Sequence, residues 1–221
     1  MPEVILEKTK DGSDTLFIPD LNEHYHSVNG AITESNHVFI QAGLKSILPH
    51  VQKLHVLEIG FGTGLNAWLT FVEAQKSKKT VYYTGIEVYP LSFEIIRQLD
   101  FSLSSKDENH FHQFHHCEWN VLNQLSKTFY LQKQQTDFTI VNLSNEKFDL
   151  IYFDAFAPDI QPEMWTSDNF FKLYTCLKPA GILTTYSAKG QVRRNMQQAG
   201  FTVERLPGPP GKREMLRAIK L

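Results

Sequence analysis

Gly60, Gly62 and Gly64 follow a short apolar run, Val56-Leu57-Glu58-Ile59, and precede a helical pattern over 65–74. An apolar run that stops at glycine reads as a buried strand entering a tight turn. Glycine lacks the Cβ that would keep a ligand off the backbone. The helix that follows offers its free N–H groups and its positive end. Strand, glycine turn and helix form the first unit of a nucleotide-binding α/β domain. The spacing here is GxGxG, whereas dinucleotide sites favour GxGxxG. Glu58 at the strand end puts an acid under the turn. It would repel a pyrophosphate and suits a ligand with a positive end, such as the amino group of S-adenosylmethionine (SAM).

Two further acids stand at matching places. Glu87 ends the run Thr80 to Glu87, TVYYTGIE, 23 residues past Gly64. An acid at the end of the second strand hydrogen-bonds ribose hydroxyls in this architecture. Asp154 ends the run FDLIYF, 148–153, and opens the loop AFAPDIQPEMW. Ligands of a doubly wound sheet lie beyond the carboxyl ends of its strands. The first and fourth strands are neighbours there, so Asp154 is expected to face the glycine turn. Pro158 and Pro162 stiffen its loop, and Phe156 and Trp165 offer aromatic faces on which a base could stack. For Trp165, core packing at a helix start is the competing reading. Asp137 follows the third strand, 128–133, where SAM enzymes commonly place an acid or amide against the adenine amino group.

The elements that must hold these residues can be read in order. Val4-Ile5-Leu6 and Thr15-Leu16-Phe17-Ile18 flank Asp11-Gly12-Ser13, a hairpin signal. The polar stretch NEHYHSVNGAITES leads into VFIQAGLKSIL, a helix that Glu34-Ser35-Asn36 could cap. Residues 1–50 therefore form a hairpin and lid extension, with Tyr25, His26 and Ser27 as candidate substrate contacts. Residues 51–221 form the nucleotide-binding domain. Within it, helices are expected over 90–99, 118–126, 167–177 and 191–199. HFHQFHHC, 110–117, reads as an amphipathic loop and not as a metal site. The fifth strand is 181–187, and 201–206 with 215–219 form a terminal antiparallel pair. The fold class is α/β, a Rossmann-like nucleotide-binding sheet with that terminal pair and the N-terminal extension.

Composition narrows the class. The 221 residues are 42% hydrophobic with a net charge of −2, which fits an ordinary globular chain without a global basic field. Any nucleic-acid contact must come from a local patch, and Arg193-Arg194 with Lys212-Arg213 are the candidate doublets, each near the C-terminus. Cys117 and Cys176 lack CxxC spacing and read as reduced thiols. The N-terminus lacks the apolar run of a signal peptide, and no stretch is long enough to span a membrane. A cytoplasmic protein without metal or membrane partner is expected.

GFGTGLN, DAFAPDIQPEMW, YSAKGQVRRNMQQAGF and GKREML together resemble the methyltransferase part of the bifunctional tRNA 5-methylaminomethyl-2-thiouridine biosynthesis proteins. YHSVNGAITESNHVFI fits as well, and the resemblance covers about residues 10 to 219. It implies N-methylation by SAM of the exocyclic amine of 5-aminomethyl-(2-thio)uridine at the tRNA wobble position. In the fused form an FAD-dependent oxidase domain follows, so this chain resembles a free-standing methyltransferase without oxidase activity, working beside a separate wobble-uridine-modifying enzyme. The cofactor positions carry over to Glu58, Gly60, Phe61, Gly62, Gly64, Asn66 and Glu87, with Asp137 in a stretch, 117–137, that departs from the pattern. Asp154 matches the acid at the reaction centre. The anticodon loop would meet Tyr25, Ser27, Phe156, Trp165, Lys189, Arg193, Arg194, Lys212 and Arg213. A methyltransferase for a small-molecule amine would keep the cofactor site without needing the basic doublets. An NAD-dependent oxidoreductase is disfavoured by the GxGxG spacing, and a non-enzymatic RNA-binding module by Asp154 with its proline-aromatic loop.

Overall fold

The apolar runs read above pair into a parallel-centred sheet in the computed structural model, which describes residues 3–101 and 108–221. In chain order the strands are β1 (Ile5–Lys8), β2 (Asp14–Ile18), β3 (Glu23–His24), β4 (Lys53–Ile59), β5 (Thr80–Glu87), β6 (Leu122–Ser126), β7 (Phe129–Gln135), β8 (Phe148–Phe153), β9 (Leu177–Thr185), β10 (Thr202–Pro207) and β11 (Glu214–Ile219). The helices are α1 (Ala31–Ser35), α2 (Lys45–Ile47), α3 (Leu65–Ser77), α4 (Phe93–Ile96), α5 (Glu108–His116), α6 (Ser167–Cys176) and α7 (Gly190–Gln198). The large sheet runs β10-β11-β9-β8-β4-β5-β7-β6, and β1-β2-β3 form a separate small sheet.

Strands β9, β8, β4, β5 and β7 are parallel. β11 enters antiparallel between β9 and β10, giving the expected terminal pair. Both faces are covered, as parallel sheets require. On one side Phe39, Leu44, Leu65 and Trp68 pack with Phe111 and Phe114. On the other, Phe170 and Leu173 of α6 pack with Val192 and Met196 of α7. Among the described residues no helix is long and apolar enough to cross a membrane.

Several local expectations give way to longer-range contacts. The helix after the lid starts at Ala31, and Glu34 and Ser35 lie inside it, buried. Its cap comes from the hairpin turn and not from 34–36. Ser13 Oγ accepts from the N–H groups of Ala31 and Ile32, and Asp11 Oδ2 accepts from Thr33 N–H. These are the orphan donors of a helix start. The helix then widens into a π-helical stretch, Asn36–Leu44, which sets Gly43 against Tyr152 and Thr184. The histidine-rich segment is helix α5, because Phe111 and Phe114, three apart, both reach the core beside Trp68. Residues 118–126 form no helix. They turn and become edge strand β6, which pairs antiparallel with β7. The helix expected over 90–99 shortens to α4 followed by turns at Gln98 and Leu99.

Candidate active site

Three strand ends, those of β4, β5 and β8, converge on one cavity of about 650 Å³. The turn after β4 is tied to β5, since Ile86 O accepts from the N–H groups of both Gly60 and Phe61. Gly60 has φ +86, and a Cβ there would lie 2.5 Å from Asp154 O. Glycine is thus required both by the left-handed backbone and by the close approach of the β8 exit. Gly62, at φ +48, donates its N–H to Glu87 Oε2 at 3.0 Å. Glu87 Oε1 accepts from Tyr89 N–H, so two backbone donors fix this carboxylate on the cavity wall. Gly64 precedes α3 at φ +75. The Phe61 ring lies over Gly85 of β5, where a Cβ would meet it at 2.5 Å.

Asn66, on the first turn of α3, joins the acids at the centre. Its Nδ2 donates to Glu58 Oε1 at 2.9 Å and to Asp154 Oδ2 at 2.8 Å. Both amide hydrogens are therefore spent on carboxylates. Glu58 is fully buried and is not on the cavity wall. Burial pushes its carboxyl well above the usual range, despite the Asn66 hydrogen bond. Glu58 therefore does not meet a ligand directly, as the sequence alone suggested it would. It lies beneath the turn, off the cavity wall, and reaches the cavity through Asn66.

Asp154 does line the cavity and faces the glycine turn as strand order required. Its carboxyl is raised to about 7, first by burial and then by the charge of Glu34, against the Asn66 hydrogen bond and the cation of Lys212. A carboxyl titrating near neutrality can take and return a proton at working pH.

The lid closes over this floor. The Tyr25 ring lies against Gly62, where a Cβ would meet it at 3.2 Å, and packs edge-on against Phe156 at 5.2 Å between centroids. His26 Nε2 and Thr63 Oγ1 share a 2.7 Å hydrogen bond. Ser27 donates its N–H to Glu34 Oε2 at 3.0 Å.

The remaining candidates divide. Phe156 and Lys212 reach the cavity. Trp165 is 2% exposed, among Phe153, Phe170 and Tyr186, and its indole N–H holds Phe156 O at 2.8 Å. It braces the loop from the core and is not a stacking face on the cavity. Asp137 is not on the wall either. Its Oδ1 accepts from the N–H and hydroxyl of Thr139, and neighbouring Phe138 lines the cavity instead. Lys189 pairs with Asp159, and Arg194 donates to Gln191 on its own helix. Lys189, Arg193, Arg194 and Arg213 lie away from the cavity wall.

Glu34 and Tyr186 are among the wall residues that the sequence did not single out for the site. Both face Lys212, whose Nζ is 2.5 Å from Glu34 Oε1 and 4.0 Å from the Tyr186 ring centroid. Glu34 and Lys212 are 178 residues apart, so no local pattern joins them. Among the described residues no three His, Cys, Asp or Glu side chains are grouped to hold a metal ion.

A family model described as S-adenosyl-L-methionine-dependent methyltransferase matches residues 117–221. A tRNA 5-methylaminomethyl-2-thiouridine biosynthesis bifunctional protein MnmC from Pseudomonas savastanoi pv. phaseolicola is 29% identical over 90% of this chain and 32% of its own length. The protein of that name from Delftia acidovorans is 26% identical over 93% of this chain and 33% of its own. The chain thus spans about a third of the length of the curated relatives it matches. The crystal structure of MNMC2 from Aquifex aeolicus superposes with a TM-score of 0.81, at 25% identity over 99% of this chain and 70% of that one. A spermidine synthase from Thermotoga maritima shares the fold, with a TM-score of 0.57 at 16% identity over 98% of this chain and 72% of that one.

Proposed function

From a chain that is a SAM-dependent methyltransferase related to the methyltransferase part of the MnmC proteins, we propose an enzyme that N-methylates 5-aminomethyl-(2-thio)uridine at the tRNA wobble position. The product is the 5-methylaminomethyl nucleoside. The observation that carries this reading is Asp154, a carboxylate raised to about 7 and held by Asn66 beside the glycine turn.

The cavity fits SAM by the chemistry of its wall. Gly60, Phe61 and Gly62 bring the glycine turn to the cavity wall, and Glu87 is fixed where it can accept from ribose hydroxyls. When bound, SAM supplies an electrophilic methyl group on a sulfonium. The rest falls to the protein. An aminomethyl group is largely protonated at neutral pH, and its nitrogen has a lone pair only after a proton leaves. Asp154 orients the amine and accepts that proton. Tyr25 and Phe156 cover the site and exclude water, so the lid formed by residues 1–50 completes the methyltransferase domain of 51–221. The wobble base lies in a loop and can be splayed out for this reaction. The anticodon loop is the partner, with Arg193, Arg194, Arg213 and Lys189 on its phosphates. The aminomethyl group is supplied by a separate wobble-uridine-modifying enzyme, in the cytoplasm where tRNA is processed.

One observation favours a second reading. Of the proposed basic residues, Lys212 reaches the cavity while Lys189 and the three arginines stand apart from it, as a methyltransferase for a small-molecule amine would allow. Hypomodified tRNA incubated with protein and SAM, then digested and analysed by mass spectrometry, tests the proposal. A gain of one methyl on the wobble nucleoside is expected. Methylation of free amines with none on tRNA would favour the second reading.

A further inference from the structure

The reading above leaves one cation on the cavity wall without a role. Lys212 lies in the β10–β11 connection, where Lys212 N–H bonds Pro209 O and Gly208 N–H bonds Arg213 O. A Cβ on Gly211 would run into the Asn29 side chain, so this connection is seated on the lid. The Lys212 ammonium is anchored from two sides. Glu34 Oε1 takes one N–H at 2.5 Å, and the Tyr186 ring faces the charge at 4.0 Å. Glu34 is itself fixed, because its other oxygen accepts from Ser27 N–H. Tyr186 is fixed through its hydroxyl, which donates to Ala155 O at 2.9 Å. An ammonium carries three N–H donors and no acceptor. One goes to Glu34, which leaves donors for a ligand in the cavity that Lys212, Glu34, Tyr186 and Asp154 all line.

The wall thus sets an anionic acceptor, Asp154, within electrostatic reach of a cationic donor, Lys212. A complementary substrate edge carries an amine next to a carbonyl oxygen. Uracil with an aminomethyl group on C5 has that edge, since the neighbouring C4 bears the O4 carbonyl. The corresponding cytosine has an amino group at C4 and would set donor against donor. Resting on the proposed wobble-uridine reaction, we propose that Lys212, aimed by Glu34 and Tyr186, donates a hydrogen bond to uracil O4 and so makes the enzyme specific for uridine over cytidine. Lys212 is then a specificity-determining residue of the acceptor site and not a phosphate contact.

The test uses two synthetic anticodon stem–loops that differ only at the wobble nucleoside, 5-aminomethyluridine or 5-aminomethylcytidine, with saturating SAM. Wild type is expected to prefer uridine by at least tenfold in kcat/KM, since hydrogen bonds to charged groups typically contribute about 10- to 150-fold. Lys212→Met keeps the length and removes the donors, and its preference is expected to fall to about threefold or less. The cytidine stem–loop serves as internal control for folding. Equal loss on both stem–loops would mark a structural or phosphate-binding role and overturn the proposal. So would an unchanged preference in Lys212→Met, or a wild type without preference, a measurement that needs no variant. A wild type that methylates neither stem–loop would overturn the wobble-uridine reading itself, and this inference with it.

Discussion

Asp154→Asn keeps the shape of the side chain and, through its amide oxygen, the hydrogen bond from Asn66 Nδ2. It turns the other acceptor into an NH₂ donor and removes the charge. Loss of general-base help costs about 10²–10⁴-fold in rate, which is roughly 3–5 kcal/mol of barrier. The acid limb of the wild-type profile should fall tenfold per pH unit below about 7, where Asp154 protonates. In the asparagine variant that limb should vanish, and the remaining rate should climb with pH as free amine accumulates. The same shift predicts a gain in stability. A carboxyl raised from 3.8 to about 7 contributes stability that is fully present below 3.8 and is lost as pH rises through about 7. The loss amounts to at most about 4 kcal/mol above pH 8. Asparagine has no charge to bury, so Asp154→Asn should melt several degrees higher than wild type at pH 8 and at the same temperature near pH 4. The assays are single-turnover methylation with saturating SAM and tRNA from pH 6 to 9, and thermal melting from pH 4 to 9. A rate within about threefold of wild type, well short of the general-base range, or a lower Tm at pH 8, would refute the reasoning.

Glu87→Ala leaves the N–H groups of Gly62 and Tyr89 without their acceptor, and SAM affinity by calorimetry should drop at least about tenfold; unchanged affinity would remove Glu87 from the cofactor site. Replacing Arg193, Arg194 and Arg213 together by alanine should weaken tRNA binding and reduce the slope of log K against log salt by about 2, with SAM binding intact. An unaltered slope would move the RNA surface elsewhere. His26 and His115 are held down, to about 4 and about 3, chiefly by burial. Their stabilising contribution is complete above the unfolded value of 6.5 and is lost as pH falls from there toward 4. His26→Asn should therefore shrink the loss of Tm between pH 7 and pH 4 by about 5 °C, and a loss equal to that of wild type would place the acid sensitivity in other groups.

The glycine turn, Glu87 and Asp154 were legible because each sits at the end of an apolar run, and strand ends converge in a parallel sheet whatever joins them. Trp165 was ambiguous for the opposite reason. Aromatic type alone does not say whether an indole packs or faces a ligand, and its N–H to Phe156 O depends on a loop that folds back nine residues. Glu58 was legible as an acid beneath the turn, but its burial and its hydrogen bond to Asn66 were not. The pairing of Glu34 with Lys212 carried no signal, because it exists only once the β10–β11 connection crosses to the lid. The 118–126 segment failed on the same ground. Its strand form comes from the β7 edge it joins, not from its own period.

The place of β11 in the large sheet has a consequence for the order of assembly. It slots between β9 and β10, both made before it, so a growing chain that has reached only β10 cannot pair that strand in its final register. Until then β9 keeps an unpaired edge, the kind of surface that recruits other chains. Glu34 meanwhile lacks its cation, and Tyr186 faces a cavity with one wall missing. The Lys212 side of the cavity is therefore finished only with β11 and the connection before it, after the side formed by β4, β5 and β8 can already exist. A nascent chain would gain the capacity to hold SAM before it gains a closed acceptor site, and chaperone protection of the β9 edge would matter most in that interval.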